Sequence, residues 1–241
     1  MGSATGDGPP GRLPAPEIQA MFDRIAPRYD LLNRVMTAGL DRQWREAAAA
    51  AADVAAGETA IDVCTGTGDL AFALQRRVTV SGHVVGADFA ENMLERAREK
   101  AADRGEPVEF VEADALALPF ADNAFDGATV AFGIRNVSDL SAGIAEMARV
   151  VRPGGRVVIL EITTPRHLRR FYRLWFDRAV PLLGTLVGRD GAAYGYLPES
   201  VKRFPEPPEL AAAMAGAGLG DVRWQLFAGG IIALHYGRVG V

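Results

Sequence analysis

Residues 58–71, ETAIDVCTGTGDLA, decide how the rest of the chain is read. The apolar run from Ala60 to Cys64, with Asp62 inside it, has the length and composition of a buried strand, and the helical pattern DLAFALQRRV begins at Asp69. Between them stands Gly66-x-Gly68. Glycines at the end of a strand let the backbone close on a ligand, and the next helix offers unpaired amides at its first turn, so the element reads as a nucleoside-binding turn.

Alternation continues downstream through HVVGAD (83–88), ENMLERAREKAADR (91–104), VEFVEAD (108–114), FDGATVAFG (125–133), SDLSAGIAEMARVV (138–151) and GRVVILEI (155–162). Short apolar runs between helical patterns predict an α/β fold, a mostly parallel sheet with helices on both faces. Arg152-Pro153-Gly154-Gly155 stops a helix and turns the chain into a strand over residues 156–162. ELAAAMAGAG (209–218) predicts one more helix, and DVRWQLFAGGIIALHYGRV (221–239) a C-terminal antiparallel hairpin around Gly229-Gly230. Upstream, Met21, Phe22, Ile25, Tyr29, Leu32, Val35 and Met36 recur at helical spacing, interrupted by Pro27, which makes residues 16–52 a helical appendage. Residues 1–15 read as a disordered tail, and 16–241 as a single domain with a helical lid inserted at 166–204.

Composition narrows the function. With 49% hydrophobic and 23% charged residues, the 241-residue chain can bury one substantial core, and a net charge of −4 argues against a general nucleic-acid binder. Cys64 is the only cysteine, which excludes an internal disulfide or a cysteine-based zinc cluster and fits a reducing cytoplasm; no metal site is expected. The first residues lack the pattern of a secretory signal, and AVPLLGTLVG (179–188) is half the roughly 20 apolar residues that a membrane span needs.

Taken alone, Gly66-x-Gly68-x-x-Ala71 fits a dinucleotide as well as it fits S-adenosylmethionine, and Asp88 at the end of the next strand suits the ribose hydroxyls of either. Two features separate them. Asp62 lies within the strand before the turn, and Asp114-Ala115 follow the third strand, where a carboxylate accepts from the adenine amino group while a backbone amide meets a ring nitrogen. Acids at three successive strand-loop positions resemble the class I methyltransferase pattern. Oxidoreductase chemistry also lacks its usual residues, since no tyrosine has a lysine four residues on and Lys100 and Lys202 are the only lysines. For Asp88 and Asp69 a plain helix-capping role stays open, and Cys64 reads as a small buried side chain.

Five strings carry a more specific likeness: MFDRIAPRYDLLNR (21–34), DVCTGTGDLA (62–71), ALPFADNAFDGATVAFGIRNVSD (117–139), RVVRPGG (149–155) and YGYLPESVKRFPEP (194–207). Together they resemble the UbiE-type C-methyltransferases of menaquinone and ubiquinone biosynthesis, from residue 17 to the C-terminus. The resemblance implies a Rossmann-like class I fold, S-adenosylmethionine as cofactor held by Thr67, Asp88, Asp114 and Ala115, and a polyprenylated naphthoquinol, demethylmenaquinol, as acceptor. Ala131 stands where some members carry a serine, which leaves a hydroxyl contact there open.

Methylating a ring carbon requires that carbon to be electron-rich, which follows once a ring hydroxyl ionises; a free phenol does so near a pKa of about 10. Arg135 and Asn136 end the fourth strand, at the carboxyl edge where ligands of such sheets bind. A guanidinium there stabilises the phenolate while water carries the proton away and Asn136 orients the hydroxyl; a surface arginine is the plain alternative. Tyr29 is expected to fold over the site. His83, His167 and His235 read as packing or surface residues.

In the insert, Leu168, Phe171, Tyr172, Trp175, Ala179, Leu182 and Leu183 share one helical face, opposite Arg169, Arg170, Arg173 and Asp177. That face suits either a lid on the protein's own core or peripheral contact of residues 168–186 with the inner face of the cell membrane by an otherwise cytoplasmic protein. Two other functions remain in view: C-methylation of the benzoquinol of ubiquinone synthesis, and a non-catalytic cofactor-binding subunit.

Overall fold

The computed structural model describes residues 14–165 and 191–240. Five strands run parallel: β1 (Thr59–Val63), β2 (His83–Asp88), β3 (Val108–Glu112), β4 (Phe125–Ala131) and β5 (Val151–Ile162). β6 (Leu219–Phe227) and β7 (Ile232–Val239) form the antiparallel hairpin, and the sheet has the order β3-β2-β1-β4-β5-β7-β6. Strand order reverses between β1 and β4, which makes the carboxyl edge there the place where an open α/β sheet takes a ligand.

Apolar residues of β5 show why the strand reads as a continuous hydrophobic run. Val157 and Ile159 are buried against Ile144 and Met147 on one face, and Val158 and Leu160 against Trp44 and Leu74 on the other. Helices α3 (Asp41–Ala51), α4 (Asp69–Val78) and α5 (Glu91–Arg104) cover the second face; α6 (Leu140–Val150) and α8 (Pro207–Gly216) cover the first. A strand buried on both sides has no polar alternation to keep.

One boundary differs from the sequence expectation. β5 begins at Val151, opposite Phe125, and the Arg-Pro-Gly-Gly stretch is absorbed into the ladder as a register shift. Arg152 explains why: its guanidinium is held by the Asp126 carboxylate and, at 2.9 Å, by Glu58, so the backbone continues along β4 and does not leave it.

Pro27 sits in a 3-10 turn, Ala26–Arg28, that bends the appendage between α1 (Ala15–Ile25) and α2 (Tyr29–Met36). The bend lays Ile18, Met21, Ile25 and Leu32 against Ala90 and Met93, closing the appendage over the carboxyl edge. α7 (Gly191–Arg203), the described part of the insert, packs on α1. Residues 1–13 of the expected tail and residues 166–190 of the expected lid, including the whole 168–183 face, lie outside the described residues.

Gly68 begins α4 at φ +85, and a Cβ there would sit 2.9 Å from Phe110 Cζ and 3.1 Å from Phe72 Cε2. Gly68→Ala is expected to cost about 2–4 kcal/mol, because left-handed strain and overpacking add. A lowered urea midpoint at unchanged m measures it, and a wild-type midpoint would show that the turn does not need glycine.

Candidate active site

The carboxyl ends of β1 to β4 open into a first chamber of about 180 Å³, lined by Gly66, Asp88, Asp114, Ala115, Asn136 and Tyr29 among others. Asp88 sets its polar wall. One carboxylate oxygen accepts from the Gly66 amide at 2.8 Å and the other from the Ala90 amide at 3.0 Å, so Asp88 both pins the glycine turn and caps the approach to α5. Burial raises its pKa to about 6 against the pull of those amides. Asp114 stands exposed at the rim, accepting from the Leu116 amide at 2.9 Å.

Asp62 and Thr67 do not line this chamber. Asp62 lies buried beneath the turn and accepts hydroxyl hydrogen bonds from Thr65 and Thr129, each at 2.7 Å. Thr67 donates to Asp30 at 2.5 Å and accepts from Lys100, which also holds Asp30 at 2.9 Å and Asp69 at 2.6 Å. That clasp ties the appendage to the glycine turn and gives Asp69 a partner in Lys100.

Behind Tyr29 lies a larger second chamber of about 460 Å³. Its lining is mostly apolar, including Met21, Trp44, Ile162 and Ile231, with Asn33, Thr37, Asp41, Arg45, Arg135 and Tyr196 as polar exceptions. Phe22, Tyr29 and Phe132 belong to the walls of both chambers. Arg135 donates to Glu161 Oε1 at 2.8 Å and to the Phe132 carbonyl, and the two side chains are 8% and 1% exposed, which makes them a desolvated ion pair. Arg45 pairs with Asp41 at 2.5 Å and lies 5.3 Å from the Phe132 ring centre. Burial raises the Tyr29 phenol, while Arg45, a hydrogen bond with Asn33 and Arg135 pull it down.

The ubiE/COQ5 methyltransferase family model matches residues 12–239. This chain belongs to that family. A demethylmenaquinone methyltransferase of Thermus thermophilus is 50% identical over 219 residues, covering 90% of this chain and 99% of its own length. A ubiquinone/menaquinone biosynthesis C-methyltransferase UbiE of Geobacter sulfurreducens is 44% identical over 230 residues, 93% of this chain and 89% of that protein. Among solved structures, a SAM-dependent methyltransferase of Thermotoga maritima, a possible histamine N-methyltransferase, matches with TM-score 0.64 at 19% identity. It covers 92% of this chain and 99% of its own, and supports the Rossmann-like fold.

Within this methyltransferase, Glu161, Arg45 and Asn33 escaped the sequence reading. Glu161 left a signal, an acid inside the apolar run VVILEI at the end of a strand; Arg45 and Asn33 left none, since polar residues on helices are ordinary. Two of the three histidines stand apart from the chambers: His235 is buried with its ring 2.9 Å from the Pro207 carbonyl and its pKa lowered by burial to about 4, and His83 pairs at the surface with Glu109 at 3.0 Å. His167 lies outside the described residues. Among the described residues no group of three or more potential metal ligands occurs.

Asp62 has a measurable consequence for stability. Burial raises its pKa to about 7, with the Thr65 and Thr129 hydroxyls and Arg45 opposing. A carboxyl raised on folding binds its proton more tightly in the folded state, so its stabilising contribution is complete below about pH 4 and is lost as pH rises toward 7. Wild-type stability is expected to fall by on the order of 3 kcal/mol across that window from this group, and Asp62→Asn to flatten the slope. Denaturant titrations from pH 4.5 to 8 read the difference, and equal slopes would remove Asp62 as the source.

Proposed function

We propose that this methyltransferase moves the methyl group of S-adenosylmethionine to a ring carbon of a polyprenylated demethylmenaquinol, releasing S-adenosylhomocysteine and menaquinol. The observation that carries the reading is the pair of chambers sharing a wall of Phe22, Tyr29 and Phe132: a carboxylate-bearing one at the glycine turn and a large apolar one with guanidinium groups. Relatives named demethylmenaquinone methyltransferase support the acceptor.

The first chamber fits the cofactor. Asp88 has carboxylate lone pairs beyond those its two amides use, and Asn136 Oδ1 is buried with no hydrogen-bond partner, so an acceptor atom there awaits a ligand donor. Asp88 would take the ribose hydroxyls, Asp114 and the Ala115 amide the adenine edge, and Gly66 leaves room for the backbone approach, whereas Gly68, which does not line the chamber, serves the turn by its left-handed backbone. Asp62 and Thr67 act from behind by holding the turn. When bound, S-adenosylmethionine supplies an electrophilic sulfonium methyl.

In the second chamber the apolar walls pack on the faces of the ring and hold the start of the isoprenoid tail. Arg135 faces the ring oxygen that ionises, where a positive charge in a low-dielectric setting is worth far more than in water. Tyr29, between the chambers, sets the orientation of the ring, together with Asn136. The UbiE name of the Geobacter relative favours a second acceptor, the benzoquinol of ubiquinone synthesis, in the same chamber. Mass spectrometry of cellular quinones after deletion of the gene tests the main reading: accumulated demethylmenaquinone is expected, and an unchanged menaquinone pool would overturn it.

No helix among the described residues is long and apolar enough to cross a membrane. Our reading places the enzyme in the cytoplasm, with residues 168–186 meeting the membrane that carries its acceptor. Wild type is expected to co-sediment with anionic liposomes and Trp175→Glu to lose at least half of that binding; equal, negligible binding by both would end the idea.

A further inference from the structure

Among the described residues, eight buried side-chain polar atoms lack a hydrogen-bond partner, and four of them are Arg135 Nε, Glu161 Oε2, Thr163 Oγ1 and Tyr196 Oη. Glu161 and Thr163 end β5 and the start of its exit, while Arg135 and Tyr196 line the second chamber. Buried polar atoms are nearly always paired, so unpaired ones at the chamber wall, on Arg135 and Tyr196, and directly behind it, on the Glu161 that Arg135 holds, mark a place where polar chemistry is meant to occur. The methyl-transfer reading leaves one matter of that chemistry open, the destination of the proton from the ring hydroxyl. Arginine cannot receive it, because its guanidinium is always charged and has no acceptor atom.

We propose that Arg135 and Glu161 act as one unit, Arg135 facing the acceptor oxygen and Glu161 behind it receiving the proton that this oxygen loses. The inference rests on the reading of the acceptor as a phenolic ring. The hydroxyl O–H bond breaks with its electron pair left on oxygen, and solvent in the chamber carries the proton to Glu161 Oε2, the oxygen that no protein group uses. Solvent then takes the proton from the newly methylated ring carbon, whose C–H electron pair restores the aromatic ring, and Glu161 returns its own proton to the oxygen. One proton leaves per turnover.

Charge balance is the physical argument. Before ionisation the neutral phenol lies beside a pair of net charge zero; afterward phenolate, guanidinium and protonated Glu161 again sum to zero. A proton sent to bulk would leave two anions, the phenolate and the Glu161 carboxylate, sharing the one Arg135 guanidinium, whereas a proton kept on Glu161 leaves that guanidinium to the phenolate alone. Glu161 is suited to the exchange, since burial raises its pKa while Arg135 and the Ile162 amide restrain the rise. The other ionisable groups facing this region are Cys64, whose thiol burial holds neutral, and the Tyr29 and Tyr196 phenols. Asp41 and Arg45 also line the chamber, but the Asp41 carboxylate is already held by Arg45 at 2.5 Å, whereas Glu161 Oε2 has no partner among the described residues.

Glu161→Gln keeps the shape and an oxygen for Arg135 but removes the base. Loss of a general base typically costs about 10²–10⁴-fold, so kcat is expected to fall by at least about 100-fold with the acceptor KM within about threefold of wild type. Calorimetric S-adenosylmethionine binding should stay unchanged. As pH rises from 7 to 9, the variant rate should climb about tenfold per unit with the ionised fraction of the acceptor, while wild type stays flat. Glu161→Asp, which retains a carboxylate, should recover part of kcat and keep the flat profile, and it serves if the glutamine variant fails to fold. A Glu161→Gln enzyme with wild-type kcat and pH profile, or a Glu161→Asp profile as steep as a base-free enzyme's, overturns the inference. Wild-type transfer to demethylmenaquinol runs alongside: its absence refutes the acceptor reading and this inference with it, whereas wild-type turnover matched by Glu161→Gln refutes this inference alone.

Discussion

Asp88→Ala is expected to weaken S-adenosylmethionine binding by about 10²–10⁴-fold, read by isothermal titration. Each hydrogen bond from a ribose hydroxyl to a carboxylate contributes about 1.5–3 kcal/mol, and the substitution removes two of them. It also frees the Gly66 and Ala90 amides, which Asp88 holds at 2.8 and 3.0 Å, so the turn that shapes the chamber loosens as well. Asp88→Asn separates the contributions: its one acceptor oxygen can still hold the turn, and its binding loss should be smaller. Near-native affinity in Asp88→Ala would mean that the carboxylate is only a helix cap.

Arg135→Ala should damage both stability and turnover. Glu161 is 1% exposed and its only side-chain partner among the described residues is Arg135, so removing the guanidinium strands a buried carboxylate, a loss of about 3–5 kcal/mol. Loss of a positive group beside a developing oxyanion costs about 10²–10³-fold in kcat. A double-mutant cycle divides the two effects, because Arg135→Ala combined with Glu161→Gln should recover much of the stability and none of the activity. Near-normal kcat in folded Arg135→Ala would remove Arg135 from the chemistry. Recovered activity in the double variant would show that the single variant failed through folding.

Element order was legible because the apolar runs of β1, β2, β4 and β5 are buried on both faces or nearly so, and helical patterns separate them. The Gly66 and Asp88 positions were legible for the same reason, since each ends a strand at the edge where the order reverses. Periodicity says that Asp62 and Thr67 are near the turn, but not which way they point. Their side chains are consumed by Thr65 and Thr129 on one side and by Asp30 and Lys100 on the other, and those partners lie up to 67 residues away. The second chamber was illegible for a related reason: it exists only because the bend at Pro27 folds α1 and α2 over the sheet edge, bringing Tyr29 and Trp44 opposite Ile162 and Ile231. Tyr29 was reached through a family string, not through spacing. Glu161 shows the opposite case, a visible anomaly whose partner, Arg135, only the fold supplies.

The most direct test of the account is transfer itself, with purified protein, S-adenosylmethionine carrying a deuterated methyl group, and chemically reduced demethylmenaquinone, followed by mass spectrometry of the extracted quinone. The expected product bears one labelled methyl on a ring carbon and forms with stoichiometric S-adenosylhomocysteine. Bound S-adenosylmethionine with the naphthoquinol recovered unchanged, or label found on oxygen, would contradict it.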